Sequence, residues 1–113
     1  ARAFAASGAN VMLNGFGDLA GIEALRTGLE REHGVRAAYH PADMTRPDDI
    51  AAMIAAAEET FGAVDVLVNN AGIQHTAPVE TFPRERWDAI IATNLSSNFH
   101  AVQAALPGMR RRN

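Results

Sequence analysis

Asp65-Val66-Leu67-Val68, followed at once by Asn69-Asn70-Ala71-Gly72, is the stretch on which the fold reading turns. A short apolar run bounded by turn formers is too brief for a helix and reads as a buried strand, and the Asn-Asn-Ala-Gly segment stops it with loop chemistry. Working upstream, Ile50, Met53, Ile54 and Ala57 recur at helical spacing until Phe61-Gly62, which predicts a helix ended by a glycine. Ahead of that helix, Thr45-Arg46-Pro47-Asp48 offers an N-cap residue beside a proline suited to a first helical turn. Val35 to His40 reads as another strand, broken by Pro41. Ile22, Leu25 and Leu29 mark an amphipathic helix up to Gly34, and Ala9 to Asn14 reads as the strand before it, with Gly15-Phe16-Gly17-Asp18 as the turn between them.

Downstream, a loop containing Pro78 leads to Pro83, which can open a long helix carrying Trp87, Ile90, Ile91, Phe99, Val102 and Leu106. Short apolar strands thus alternate with longer helices, and the natural solution is a parallel sheet covered on both faces, in one α/β domain over residues 1–113 without internal repeats. Ala1 to Gly8 reads as the last turns of a helix with no initiator Met, and Met109-Arg110-Arg111-Arg112-Asn113 closes a helical pattern with no strand after it. Both ends are expected to be cut ends of a longer chain.

Composition excludes more than it selects. The chain has 113 residues, 48% hydrophobic and 20% charged, which suits one modest globular core. A net charge of -3 gives no basic footprint for nucleic acid or an anionic membrane surface. No apolar stretch approaches the roughly 18 residues a membrane span needs. With no cysteine there is neither a disulfide framework nor a thiolate metal site, which is compatible with a reducing, cytoplasmic location. His33, His40, His75 and His100 are scattered without the helical spacing that aims two imidazoles at one metal, so no metal site is expected.

In sheets of this kind ligands bind beyond the carboxyl ends of the strands. Three loops lie there, Asn14 to Asp18, Pro41 to Thr45 and Asn69 to Gln74, each mixing small residues with polar groups; each could equally be an ordinary strand-to-helix turn. Asn94 follows Trp87, Ile90 and Ile91 at helical spacing, which places it on the apolar face of its helix. A buried amide needs partners, so Asn94 either braces a neighbouring backbone or serves a site. Arg110 to Arg112 read as a solvated helix end favourable to the helix dipole, with an anion contact as the alternative.

These residues resemble the short-chain dehydrogenase/reductase family over essentially the whole chain. Asp43-Met44 after a strand resembles that family's adenine-contacting Asp, Asn69-Asn70-Ala71-Gly72 its NNAG motif, and Trp87-Asp88-Ala89-Ile90-Ile91-Ala92-Thr93-Asn94-Leu95 the helix leading to its catalytic Asn. Leu13 to Asp18, His40 to Met44, Ala71 to His75 and Ala105 to Met109 are most similar to its bacterial D-3-hydroxybutyrate dehydrogenase branch. The resemblance implies a Rossmann-type doubly wound sheet in strand order 3-2-1-4, of which strands 2, 3 and 4 are visible. It further implies hydride exchange between NAD and D-3-hydroxybutyrate or acetoacetate, a small hydroxy or keto acid partner, and a homotetramer. Its site residues map to Phe16, Asp43, Met44, Asn70, Ala71 and Gly72 for the cofactor, Gln74 for the substrate carboxylate, and Asn94 for a water in a proton relay. Gln74 could otherwise be a solvent-facing loop residue.

NAD also has a physical argument, because a 2′-phosphate needs a cation and no Lys or Arg lies between Val11 and Ala24. The strand ends in Asn14-Gly15-Phe16, however, where a ribose-binding acid is usual. The alternatives are an NADP-linked 3-oxoacyl carrier-protein reductase and a noncatalytic nucleotide-binding module on the same fold. The only tyrosine, Tyr39, is followed four residues on by Asp43, so the family's Tyr-x-x-x-Lys pair is not in this sequence, and its glycine-rich phosphate loop would precede Ala1. The 113-residue segment alone is therefore expected to be inactive. With the first strand missing from mid-sheet, inner strand edges lie open, and the isolated segment is expected to be unstable or molten. A sharp cooperative melt with dispersed amide NMR signals would contradict that expectation.

Overall fold

The computed structural model describes residues 1–112, and Asn113 lies outside the described residues. Ala1 to Pro41 form one compact unit, and the chain from Ala42 onward forms a second.

In the first unit, helix α1 (Arg2–Ala6) leads to strand β1 (Val11–Leu13), helix α2 (Leu19–His33) and strand β2 (Ala37–Tyr39). The strands pair in parallel, Val11 opposite Ala37, Met12 opposite Ala38 and Leu13 opposite Tyr39. Helix α2 begins where Asp18 accepts hydrogen bonds from the Ala20 and Gly21 amides, at 3.4 and 2.9 Å. It ends at Gly34, whose φ of 67° a glycine adopts at no steric cost. Leu29 of α2, Ala5 of α1 and Ala37 of β2 form the core, with Val11, Leu13, Leu25 and Val35 around them.

The outer edge of β2 is covered by side chains of α2. The Glu30 carboxylate accepts the Ala37 N–H at 3.0 Å, and the Arg26 guanidinium donates to the Ala37 carbonyl at 2.9 Å. The same two side chains form an ion pair at 3.0 Å. The Ala37 N–H, with Arg26 beside it, holds the Glu30 carboxyl below its ordinary range. A strand edge occupied by its own helix is not open to another strand.

The second unit contains helix α3 (Pro47–Phe61), a single 3-10 turn at Val79–Thr81, helix α4 (Arg84–Ile91), a π turn at Ala92–Ser96 and helix α5 (Ser97–Arg112). α3 packs against α5. Its buried stripe is the expected one, Ile50, Met53, Ile54 and Ala57, and it ends as expected at Gly62 with φ 87°. The buried face of α5 is Ser97, Ala101, Ala105 and Gly108, a row of small residues.

Four sequence-based expectations are corrected. Asp65 to Val68 is not a strand of the sheet: the sheet has two strands, and a ladder needs a neighbour, which no described residue supplies to this segment. Val66 and Val68 are consequently 61% and 59% exposed. Thr45 does not cap α3, because its hydroxyl and amide are both bonded to Asp43; Arg46 holds the cap position without a side-chain bond, ahead of Pro47. Phe99, Val102 and Leu106 are exposed, since the small residues of α5 and not its large ones face α3, and Trp87 of α4 is exposed as well. Arg112 is not simply solvated: it donates to the Val64 carbonyl and pairs with Asp65 at 3.5 Å, tethering the segment that reads as a strand to the end of α5.

Ile50 is fully buried and Val79 is 91% exposed. In a protein carrying this segment, Ile50→Ala is expected to lower unfolding free energy by about 2–5 kcal/mol. Val79→Ala should change it by less than about 0.5 kcal/mol. Denaturant midpoints measure both, and equal effects would contradict the packing described.

Candidate functional site

Each of the three loops singled out by sequence is held by side chains bonding to backbone. In the first unit, the Asn14 amide donates to the His40 carbonyl at 3.0 Å and the Tyr39 phenol donates to the Gly15 carbonyl at 2.7 Å. Phe16, between Gly15 and Gly17, is 77% exposed. Asp18, the next acid along, is committed to the N-terminus of α2.

In the second unit, Asp43 Oδ1 accepts both the Thr45 N–H at 2.8 Å and the Thr45 hydroxyl at 2.7 Å. These bonds, in that order, with the Arg46 charge nearby, hold the Asp43 carboxyl below its ordinary range, so it is ionised near neutrality. Met44 beside it is half-buried.

The third loop is tied to the helical run. Asn94 Nδ2 donates to the Ile73 carbonyl at 2.9 Å, and Asn94 Oδ1 accepts the Ile73 N–H at 2.9 Å. One amide thus satisfies both polar groups of one residue 21 positions away, which is how a strand neighbour would bond it. Gly72 lies beside the pair: a Cβ there would sit 3.6 Å from Asn94 Oδ1. Asn70 and Gly72 are exposed, Ala71 is half-buried, and Gln74, adjacent to the clamped Ile73, presents an exposed side chain.

Asn94 is not buried, contrary to the spacing argument. It lies in the π turn, where the regular helical spacing no longer holds, and the face it would share with Trp87, Ile90 and Ile91 carries no buried residue in α4. Of the two roles open to it from sequence, bracing a backbone is the one observed. The Asn98 amide donates to the Asn94 carbonyl at 3.1 Å, and the buried Ser97 hydroxyl donates to the Thr93 carbonyl at 2.6 Å, so side chains bond the backbone along this irregular stretch.

The structure therefore brings Asn94 together with Ile73 and Gly72, next to Gln74. Sequence reasoning missed Tyr39 and Thr45 as loop anchors and Ile73 as the partner of Asn94. An Asp two residues before a Thr was a legible signal for the Asp43 turn; nothing local marked Tyr39 or Ile73. Among the described residues no group of three His, Asp or Glu side chains could hold a metal ion, and no helix is long and apolar enough to cross a membrane.

With its alternating α/β elements and this loop clamp, the chain belongs to the short-chain dehydrogenase family, whose model matches residues 1–113. The Rossmann-type α/β reading of the sequence stands. The chain is 52% identical over 114 residues to the D-beta-hydroxybutyrate dehydrogenase of Cupriavidus necator and 46% identical over 115 residues to that of Rhizobium meliloti, in each case across 99% of this chain and 43% of the relative. It spans less than half the length of those relatives. Among solved structures, the L-sorbose reductase of Gluconobacter frateurii, complexed with NADPH and L-sorbose, matches with a TM-score of 0.91 at 25% identity, over 98% of this chain and 42% of that one. A blue fluorescent protein from a metagenomic library, in complex with NADPH, matches with a TM-score of 0.90 at 32% identity, over 96% and 44%.

Asn94→Ala should remove both bonds to Ile73. A net hydrogen bond contributes about 1 kcal/mol, so amide exchange at Ile73 should quicken at least about fivefold. Unchanged exchange at that amide would show that Asn94 does not hold the loop.

Proposed function

We propose that this segment belongs to a dehydrogenase that moves a hydride between NAD and D-3-hydroxybutyrate, giving acetoacetate. The two hydroxybutyrate dehydrogenase relatives support the substrate class. The observation that carries the reading is the Asn94–Ile73 clamp, which sets the backbone beside Gln74 and leaves its amide exposed to donate to a carboxylate.

The donor set fits a cofactor with an unphosphorylated ribose. No Lys or Arg lies between Val11 and Ala24, and the Asp18 carboxylate at the start of α2 would repel a 2′-phosphate. Phe16 offers an exposed ring for adenine, ionised Asp43 can accept from an adenine amino group, and Asn70 to Gly72 supply small residues over which a nucleotide can approach. When bound, the nicotinamide supplies the hydride acceptor. Gln74 orients the acid, and Asn94, whose side chain is used on Ile73, is the residue assigned to the relay water. The relay's phenol and lysine are not among these residues: the sequence has no lysine, and its single tyrosine holds a loop. The NADPH bound by the sorbose reductase and the fluorescent protein favours a second reading, an NADP-linked reductase of oxoacyl groups.

In the whole protein, Gln74→Ala should raise KM for 3-hydroxybutyrate about tenfold or more while leaving KM for NAD within about twofold. Equal changes would remove Gln74 from the site. A preference for NADP over NAD in the wild-type protein would favour the second reading.

A further inference from the structure

Residues at the end of β2 hold residues at the end of β1 twice over. The Tyr39 phenol donates to the Gly15 carbonyl at 2.7 Å, and the neighbouring His40 carbonyl accepts the Asn14 amide at 3.0 Å. The loop leaving β1 is therefore fixed from outside by its neighbour strand. Just beyond the anchored carbonyl, Phe16 stands 77% exposed. Gly17 comes next with φ 147°, a backbone that L side chains rarely adopt. A large ring displayed to solvent on an anchored backbone is preorganised to stack on a flat ligand, because the ordering of the loop is complete before binding.

We propose that Tyr39 is a positioning residue for the adenosine end of the cofactor: through the Gly15 carbonyl, its phenol holds Phe16 where the ring stacks on adenine. This rests on the proposed function, in which Phe16 offers its ring to adenine. Tyr39 itself touches neither substrate nor cofactor. Its effect is confined to the affinity for nucleotides that carry adenosine.

The test uses Tyr39→Phe in the whole protein, which keeps the ring and removes only the donor. KM for NAD and the inhibition constant of AMP, a probe of the adenosine half alone, should rise together by about fivefold, the effect of one net hydrogen bond. kcat and KM for 3-hydroxybutyrate should stay within about twofold. In a Phe16→Ala background, Tyr39→Phe should change neither nucleotide constant further, a coupling that a merely structural role would not produce. Unchanged constants for NAD and AMP, a fall in kcat alone, additive effects with Phe16→Ala, or loss of a cooperative melt in Tyr39→Phe would each overturn the assignment. If the wild-type protein does not use NAD, the functional reading fails first and this inference with it. If it does and Tyr39→Phe behaves as wild type, only the inference fails.

Discussion

The close approach of α3 and α5 governs the second unit. Ile50, Met53, Ile54 and Ala57 can be buried together only because α5 meets them with Ser97, Ala101, Ala105 and Gly108, whose small side chains let the helices come near. The approach has a consequence on the other side of α5. With its small face turned to α3, the larger Phe99, Val102 and Leu106 are turned away and exposed. Val102 and Leu106, with Met109, line an open groove against Val66 and Leu67, so the residues that read as a strand share their exposure with the outer face of α5.

The π turn at Ala92–Ser96 links this packing to the site. It lies between α4 and the first buried residues of α5, and its extra residue lets α5 meet α3 with the right face while swinging Asn94 toward the loop after Val68. Irregular helix costs regular hydrogen bonds, and the Ser97 hydroxyl and Asn98 amide offset the loss by bonding nearby carbonyls. The distortion is thus stabilised by the same residues that surround the clamp.

A shared principle runs through all three loops: a polar side chain fixes a backbone group, and the residue displayed is a neighbour of the one fixed. Tyr39 fixes Gly15 beside Phe16, Asp43 fixes the Thr45 N–H beside Met44, and Asn94 fixes Ile73 beside Gln74. Such anchoring leaves the displayed side chain free to vary without disturbing the backbone.

Elements whose signals are local were legible in the sequence alone. Helix α2 between Asp18 and Gly34, the α3 stripe ending at Gly62, and the short strands around Met12 and Ala38 arise from periodicity, caps and the backbone freedom of glycine, all set by residues a few positions apart. The family was legible for the same reason, because its motifs are short and ordered. Features that depend on partners distant in sequence were settled only by tertiary packing. Whether Asp65 to Val68 is a strand depends on a neighbouring chain segment to complete its ladder, and whether Phe99 and Val102 face inward depends on which side of α5 meets α3. Asn94 shows the limit most clearly. Helical spacing placed it on a buried face, but a π turn and an Ile backbone 21 residues away decided where it points, and periodicity carries no record of either.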